Sequence, residues 1–198
     1  MIYHDSHNNT ITTEAISGLP ANYLLYVGER TAHKNFNRLL HCFAGLINQH
    51  PDLYLICANG GAFNTEEILL IKKLNINEHC RQINVNESSL NYLYQQAKVF
   101  VFPSLYEGFG YPLLDAFKIG CAVAASNTSS FPEVGGDAVH YFNPDDTHSM
   151  YKAIHELLAD TLLRKQYIDE GYEQLKHFAL AREIEDTLNF YTKVTGRQ

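Results

Sequence analysis

The chain has no apolar stretch approaching the roughly 20 residues of a membrane-spanning helix, so no helical span is expected. It begins Met-Ile-Tyr-His-Asp-Ser-His, without the basic-then-apolar pattern of a secretory signal. It has no basic run, and 22 acids against 15 bases give a net charge of -7. That balance argues against nucleic acid or an anionic membrane surface as the main partner. The cysteines at 42, 57, 80 and 121 never form C-x-x-C. Cys42, Cys57 and Cys121 stand in apolar segments and read as buried thiols of a reducing, cytoplasmic compartment. No two of the ten histidines make an H-x-x-x-H pair on a plausible helix. His4 and His7 fall in a polar leader, so no metal site is expected. No G-x-G-x-x-G follows Gly28, which argues against an ordinary dehydrogenase. No internal repeat is present.

What is present is alternation. With 198 residues and 45% hydrophobic content, the chain can build one ordinary globular domain. Residues 1–21 are polar and aperiodic and read as a linker or leader. Residues 22–198 form the folded domain. Short β-rich runs at 23–27, 53–57, 82–85, 98–102, 121–125 and 138–142 predict strands. Helical periodicity is expected over 35–49, from Asn64 to Leu74, from Asn86 to Ala97 and over 111–120. Asn64 and Glu67 have capping-box spacing. From about Asp145 the chain is helical, with a last helix expected over 181–194. Strands alternating with helices imply right-handed crossovers and an α/β, Rossmann-like parallel sheet with helices on both faces. Such sheets bind ligands beyond the carboxyl ends of their strands.

One such end carries Ser-Leu-Tyr-Glu-Gly-Phe-Gly-Tyr-Pro-Leu-Leu-Asp-Ala, residues 104–116. Gly108 and Gly110 can take positive φ and leave the backbone bare. Pro112 fits the start of a helix, where a missing N–H costs nothing. The turn suits oxygen-rich or anionic ligands. Glu107 sits at its mouth and Asp115 follows eight positions later. A second loop, after the first strand, runs Val-Gly-Glu-Arg-Thr-Ala-His-Lys-Asn over residues 27–35. It places Arg30 and Lys34 beside a helix start, an arrangement that favours an anion. Arginine suits bidentate phosphate binding, and lysine acts as a point charge.

These two loops, in this order, resemble those of the retaining glycosyltransferases of family 4, with the GT-B fold. The first resembles the family's E-x7-E motif, with Asp115 in the place of the second glutamate. The second resembles Y-V-G-x-x-x-x-x-K-N, with Lys34 six positions after Gly28. Further segments, including residues 90–97, 131–138 and 141–145, extend the resemblance over about 23–195. The family fold has two Rossmann-like domains facing a cleft. The resemblance implies that this chain is the C-terminal donor-binding half of a GT-B fold, with the N-terminal acceptor domain absent. It implies that Glu107 lies beside the donor sugar, that Arg30 and Lys34 bind the diphosphate, and that Asp115 holds the ribose. Gly28, Gly108, Phe109, Gly110, Tyr111 and Leu113 would line the donor, and Val85 lies in the loop that contacts the base. The implied donor is a GDP- or UDP-linked sugar, and resemblance to bacterial surface-polysaccharide mannosyltransferases points to a GDP-mannose-like donor. Transfer would need no metal or other cofactor. The acceptor would be a glycan or a lipid-linked glycan, reached through the missing domain at the inner face of the membrane. An exposed interdomain surface would favour self-association. A nucleotide-binding module without transfer activity, or another GT-B enzyme such as a nucleotide-sugar epimerase, would use the same half.

Overall fold

The computed structural model describes residues 12–178. Six strands form one sheet: β1 (Tyr23–Val27), β2 (Tyr54–Ala58), β3 (Cys80–Ile83), β4 (Val99–Phe102), β5 (Val123–Ser126) and β6 (Val139–Phe142). Every neighbouring pair is parallel, and the spatial order is β3-β2-β1-β4-β5-β6. Parallel strands need crossovers, and helices supply them. These are α1 (Phe36–Leu46), α2 (Thr65–Lys73), α3 (Glu87–Gln96), α4 (Tyr111–Ile119) and the short α5 (Phe131–Gly135). Then α6 (Thr147–Ala159) and α7 (Thr161–Leu175) close the described chain.

The side-chain period of two divides the core. Leu24 and Tyr26 of β1 join α1, α2 and α6 on one face of the sheet. Tyr23 and Leu25 join α3, α4 and α5 on the other. A sheet covered on both faces explains why its strands read as continuous apolar runs. All four residues of β4, Val-Phe-Val-Phe, are buried.

The helix caps follow the local sequence. Asn64 accepts the Glu67 amide, and the Glu67 carboxylate accepts the Asn64 amide, so both halves of the capping box form. Asn86 caps α3 by accepting the Ser89 amide. Several boundaries differ from the sequence reading by one to three residues. β3 lies two residues earlier than expected, because Cys80 pairs with Leu55 and Ile83 with Ala58. Val85, expected as its end, instead donates its amide to the Asn59 side chain. α1 is shorter than expected, starting after Asn35, whose φ of 57° is left-handed. Pro112 is the second residue of α4, a position whose N–H also lacks a helical partner. Residues 12–21, read as linker, have no regular element. They lie along α3, with the Glu14 amide donating to Ser88 O and Ile16 and Leu19 packed on the core. The helix expected over 181–194 lies outside the described residues.

Candidate functional site

The strand order reverses between β1 and β4. From β1 the chain winds outward to β2 and β3, and from β4 outward to β5 and β6. The loops leaving β1 and β4 at their carboxyl ends therefore diverge and leave a crevice, the place where open α/β sheets bind ligands. Both loops singled out in the sequence lie there. They are stitched together, since the Leu105 amide donates to His33 O at 2.7 Å.

Lys34 and Glu107 meet in this crevice. The Lys34 ammonium donates to Glu107 Oε1 at 2.6 Å, across 73 positions of sequence. The side chains are 24% and 16% exposed, so the pair is sheltered but reachable. Lys34 Nζ also lies 5.8 Å from the centre of the Phe102 ring. An ammonium has three donors. Glu107 occupies one of them, which leaves capacity for an anion alongside it.

Arg30 is placed differently from the expectation. Its side chain is 4% exposed and its Nε donates to Glu67 Oε1 at 3.0 Å. Nη1 donates to Asn59 O, and Nη2 to Gly61 O and Ala62 O. Four of the five guanidinium donors are thus consumed by protein acceptors. The guanidinium also stacks near Phe36 and Phe63. In this arrangement one guanidinium donor remains for a ligand, where the bidentate phosphate contact expected of Arg30 needs two. Arg30 instead binds the loop after β2 to the loop after β1, and Glu67 is the acid that neutralises it. A cleft of about 410 Å³ opens beside Arg30, Asn35 and Glu67, but Glu107 is not among its walls.

The Glu107 turn is held by residues that the sequence reading passed over. Ser129 Oγ donates to Glu107 O at 2.6 Å and accepts the Glu107 amide at 3.2 Å. Ser130 Oγ lies 3.1 Å from Glu107 O and 2.9 Å from Phe109 O, sharing one proton between them. Thr128 Oγ1 donates to Leu105 O at 3.2 Å. Three consecutive hydroxyls after β5 thus fix alternate carbonyls of the turn after β4. Their clustering at the end of a strand was the available signal. Asn59 and Gly60 form a second such support. Gly60 has φ 74°, and a Cβ there would lie 2.2 Å from Gly28 O, so only glycine lets the β1 and β2 turns touch.

The remaining expected residues sit around the crevice. Gly28 has φ 101° with open space where a Cβ would stand, and Gly108 is equally open. Gly110, φ 99°, begins α4 with no side-chain cap, so the positive end of the helix lies three residues from Glu107. Phe109 and Tyr111 are exposed with ring centres 4.8 Å apart, whereas Leu113 is buried in the core. Leu113 therefore shapes α4 from behind. Asp115 keeps solvent contact on α4. Protein crowding nonetheless pushes its carboxyl above the usual range, with Lys118 opposing the shift and Glu87 adding to it. Val85 lies in the loop beyond β3, tied to Asn59. Among the described residues, no group of three or more His, Cys, Asp or Glu side chains could hold a metal ion.

The chain has known relatives. The chain is 33% identical over 172 residues to the O-antigen chain mannosyltransferase B of Escherichia coli, covering 85% of this chain and 45% of that protein. It is 28% identical to a Campylobacter jejuni N-acetylgalactosamine-N,N'-diacetylbacillosaminyl-diphospho-undecaprenol 4-alpha-N-acetylgalactosaminyltransferase, covering 85% of this chain and 46% of that one. The chain thus spans less than half the length of these curated relatives. In structure it resembles the C-terminal domain of a glycosyl transferase group 1 family protein from Francisella tularensis. That match has a TM-score of 0.70 at 20% identity, and covers 80% of this chain and 87% of that domain. The sequence profile described as "Glycosyl transferases group 1" matches residues 12–174. A sheet with its switch point between β1 and β4, a Lys34–Glu107 pair in the crevice and a match over most of the chain converge: this chain belongs to the glycosyl transferases group 1 family.

Proposed function

We propose that this chain is the donor-binding half of a retaining hexosyltransferase that uses a nucleoside diphosphate sugar in bacterial surface polysaccharide synthesis. The observation that carries the reading is the Lys34–Glu107 pair at the switch point. In such a transfer the sugar gains positive charge while the departing diphosphate gains negative charge. Lys34 meets the second need, as a compact cation beside the positive end of α4. Glu107 meets the first, accepting hydrogen bonds from sugar hydroxyls and facing the developing positive charge. Because one ammonium touches Glu107 and keeps two further donors, Lys34 can bridge the sugar-orienting acid and the leaving phosphate. Arg30 acts at one remove, fixing the loop that presents Lys34. Asp115 is assigned to the ribose and Val85 to the base region.

The remaining assignments rest on relatives. Mannosyl transfer in the E. coli relative favours a GDP-linked donor over UDP. The diphospho-undecaprenol in the C. jejuni relative's name favours a lipid-linked acceptor at the inner membrane face. The acceptor would be held by a separate N-terminal domain, with no metal taking part.

Calorimetric titration with GDP, UDP and ADP, without added metal, tests the donor site. Saturable binding of one diphosphate is expected. Lys34→Ala should weaken that diphosphate roughly tenfold to a hundredfold, the worth of a charged hydrogen bond, and leave the nucleoside little changed. Equal losses for both ligands would remove the phosphate role. Absence of any binding would favour a chain without donor recognition of its own.

A further inference from the structure

A second concave site lies at the opposite pole of the sheet. A cavity of about 280 Å³ is walled by Asn22, His50, Asp52, Lys98 and Arg164, with Leu53 and Leu158. Asn22, Leu53 and Lys98 immediately precede β1, β2 and β4, three adjacent strands. The site therefore faces away from the crevice that holds Lys34 and Glu107.

Its electrostatics run against those of the molecule. The chain carries a net charge of -7, yet this cavity gathers two cations against one acid. The acid keeps its charge and accepts a hydrogen bond from the Asn22 amide. The cations are not neutralised. Among the described residues neither Lys98 nor Arg164 forms an ion pair. Arg164 donates Nη1 to Leu157 O at 2.8 Å and Nη2 to Thr161 Oγ1 at 3.4 Å. That leaves three of its five donors, whereas Arg30 keeps one. Both Lys98 and Arg164 are half-buried, so their charges are poorly screened. His50 adds a polar wall without adding charge at neutral pH. It lies 3.1 Å from His155, and burial together with that neighbouring imidazole holds its pKa below the ordinary histidine value.

We propose that this cavity is an anion site that takes a phosphate group, held between the Lys98 ammonium and the Arg164 fork. A phosphate carries about -1.5 to -2 charges at pH 7, and the two cations outnumber the single Asp52 carboxylate that shares the cavity with them. An arginine fork and a lysine point charge are complementary ways to hold it. The group could arrive as the free ion or on a small phosphomonoester.

The test is a two-dimensional amide NMR titration of this chain with inorganic phosphate at constant ionic strength, with chloride in parallel. The amides of Asn22, His50 and Lys98 should shift saturably with phosphate and not with chloride. Lys98→Gln should weaken the effect by about tenfold or more, Lys98→Arg should restore it, and Lys34→Ala should leave it unchanged. Titration with glycerol 1-phosphate separates the two sources. Tighter binding than inorganic phosphate assigns the site to a phosphomonoester, and equal or weaker binding assigns it to the free ion. Shifts that follow chloride equally would overturn the proposal. So would shifts that survive Lys98→Gln in a protein whose spectrum is otherwise unchanged.

Discussion

Ser129 has φ 58°, a left-handed conformation that costs a β-carbon some strain. It holds both the amide and the carbonyl of Glu107 through one hydroxyl. The strain and the contacts make separable predictions. Ser129→Ala loses the hydroxyl and keeps the strain, whereas Ser129→Gly loses the hydroxyl and relieves the strain. Both should weaken nucleoside diphosphate sugar binding several-fold, while thermal unfolding should show the glycine variant to be the more stable, by about 1 kcal/mol. If calorimetry shows full affinity in both, the hydroxyl does not position Glu107. Asp115 gives a pH signature. Its carboxyl binds a proton more tightly in the folded protein than in the unfolded chain. The folded state is therefore favoured while Asp115 is protonated. That contribution is lost as pH rises from the ordinary carboxylate range through the raised folded value. Asp115→Asn should flatten this part of the stability–pH curve, and an unchanged slope in urea melts across that window would assign it to other groups. Glu107, Lys34 and the glycines of the β4–α4 turn were legible in the sequence because their types and spacing are distinctive. The contact of Arg30 with Glu67 was not. An arginine in a loop looks the same whether it faces a phosphate or a buried Glu67 37 positions away.

Two crossover turns meet at a contact too close for any side chain. Gly60 and Gly61 both have positive φ, at 74° and 78°, but only Gly60 touches backbone, with Gly28 O 2.2 Å from its would-be Cβ. Gly61→Ala should cost only the conformational strain, about 1–2 kcal/mol. Gly60→Ala must also push β1 and β2 turns apart, so its loss in urea denaturation should clearly exceed that of Gly61→Ala. It should also reduce diphosphate affinity, because Lys34 lies on the loop that moves. Equal losses for the two variants would mean that the contact opens freely. Helix and strand identity was plain at this scale, since each apolar run and each Asn cap is a local signal. The β3 boundary was not, because register is set by β2 and not by the sequence of β3 itself.

The whole molecule depends on a sheet buried on both faces. Phe100 sits at its centre with no exposure, 5.1 Å from the Tyr94 ring and 5.5 Å from Phe102. Phe100→Ala should cost about 3–5 kcal/mol, a large share of a stability of about 5–15 kcal/mol. One cooperative urea transition with a lowered midpoint is the expected observation, and a shift below 1 kcal/mol would show that the surrounding aromatics refill the space. By itself the sequence determined the α/β class, the six strands in parallel alternation and the two glycine-bearing loops at strand carboxyl ends. These follow from local periodicity, capping and glycine chemistry, which act over a few residues. Tertiary structure decided the rest. It brought Lys34 to Glu107, turned Arg30 inward to Glu67, set three hydroxyls after β5 under the Glu107 turn, and gathered Lys98 and Arg164 around a cavity. These pairings join residues from 21 to 73 positions apart, and only the order of strands in the sheet makes them neighbours.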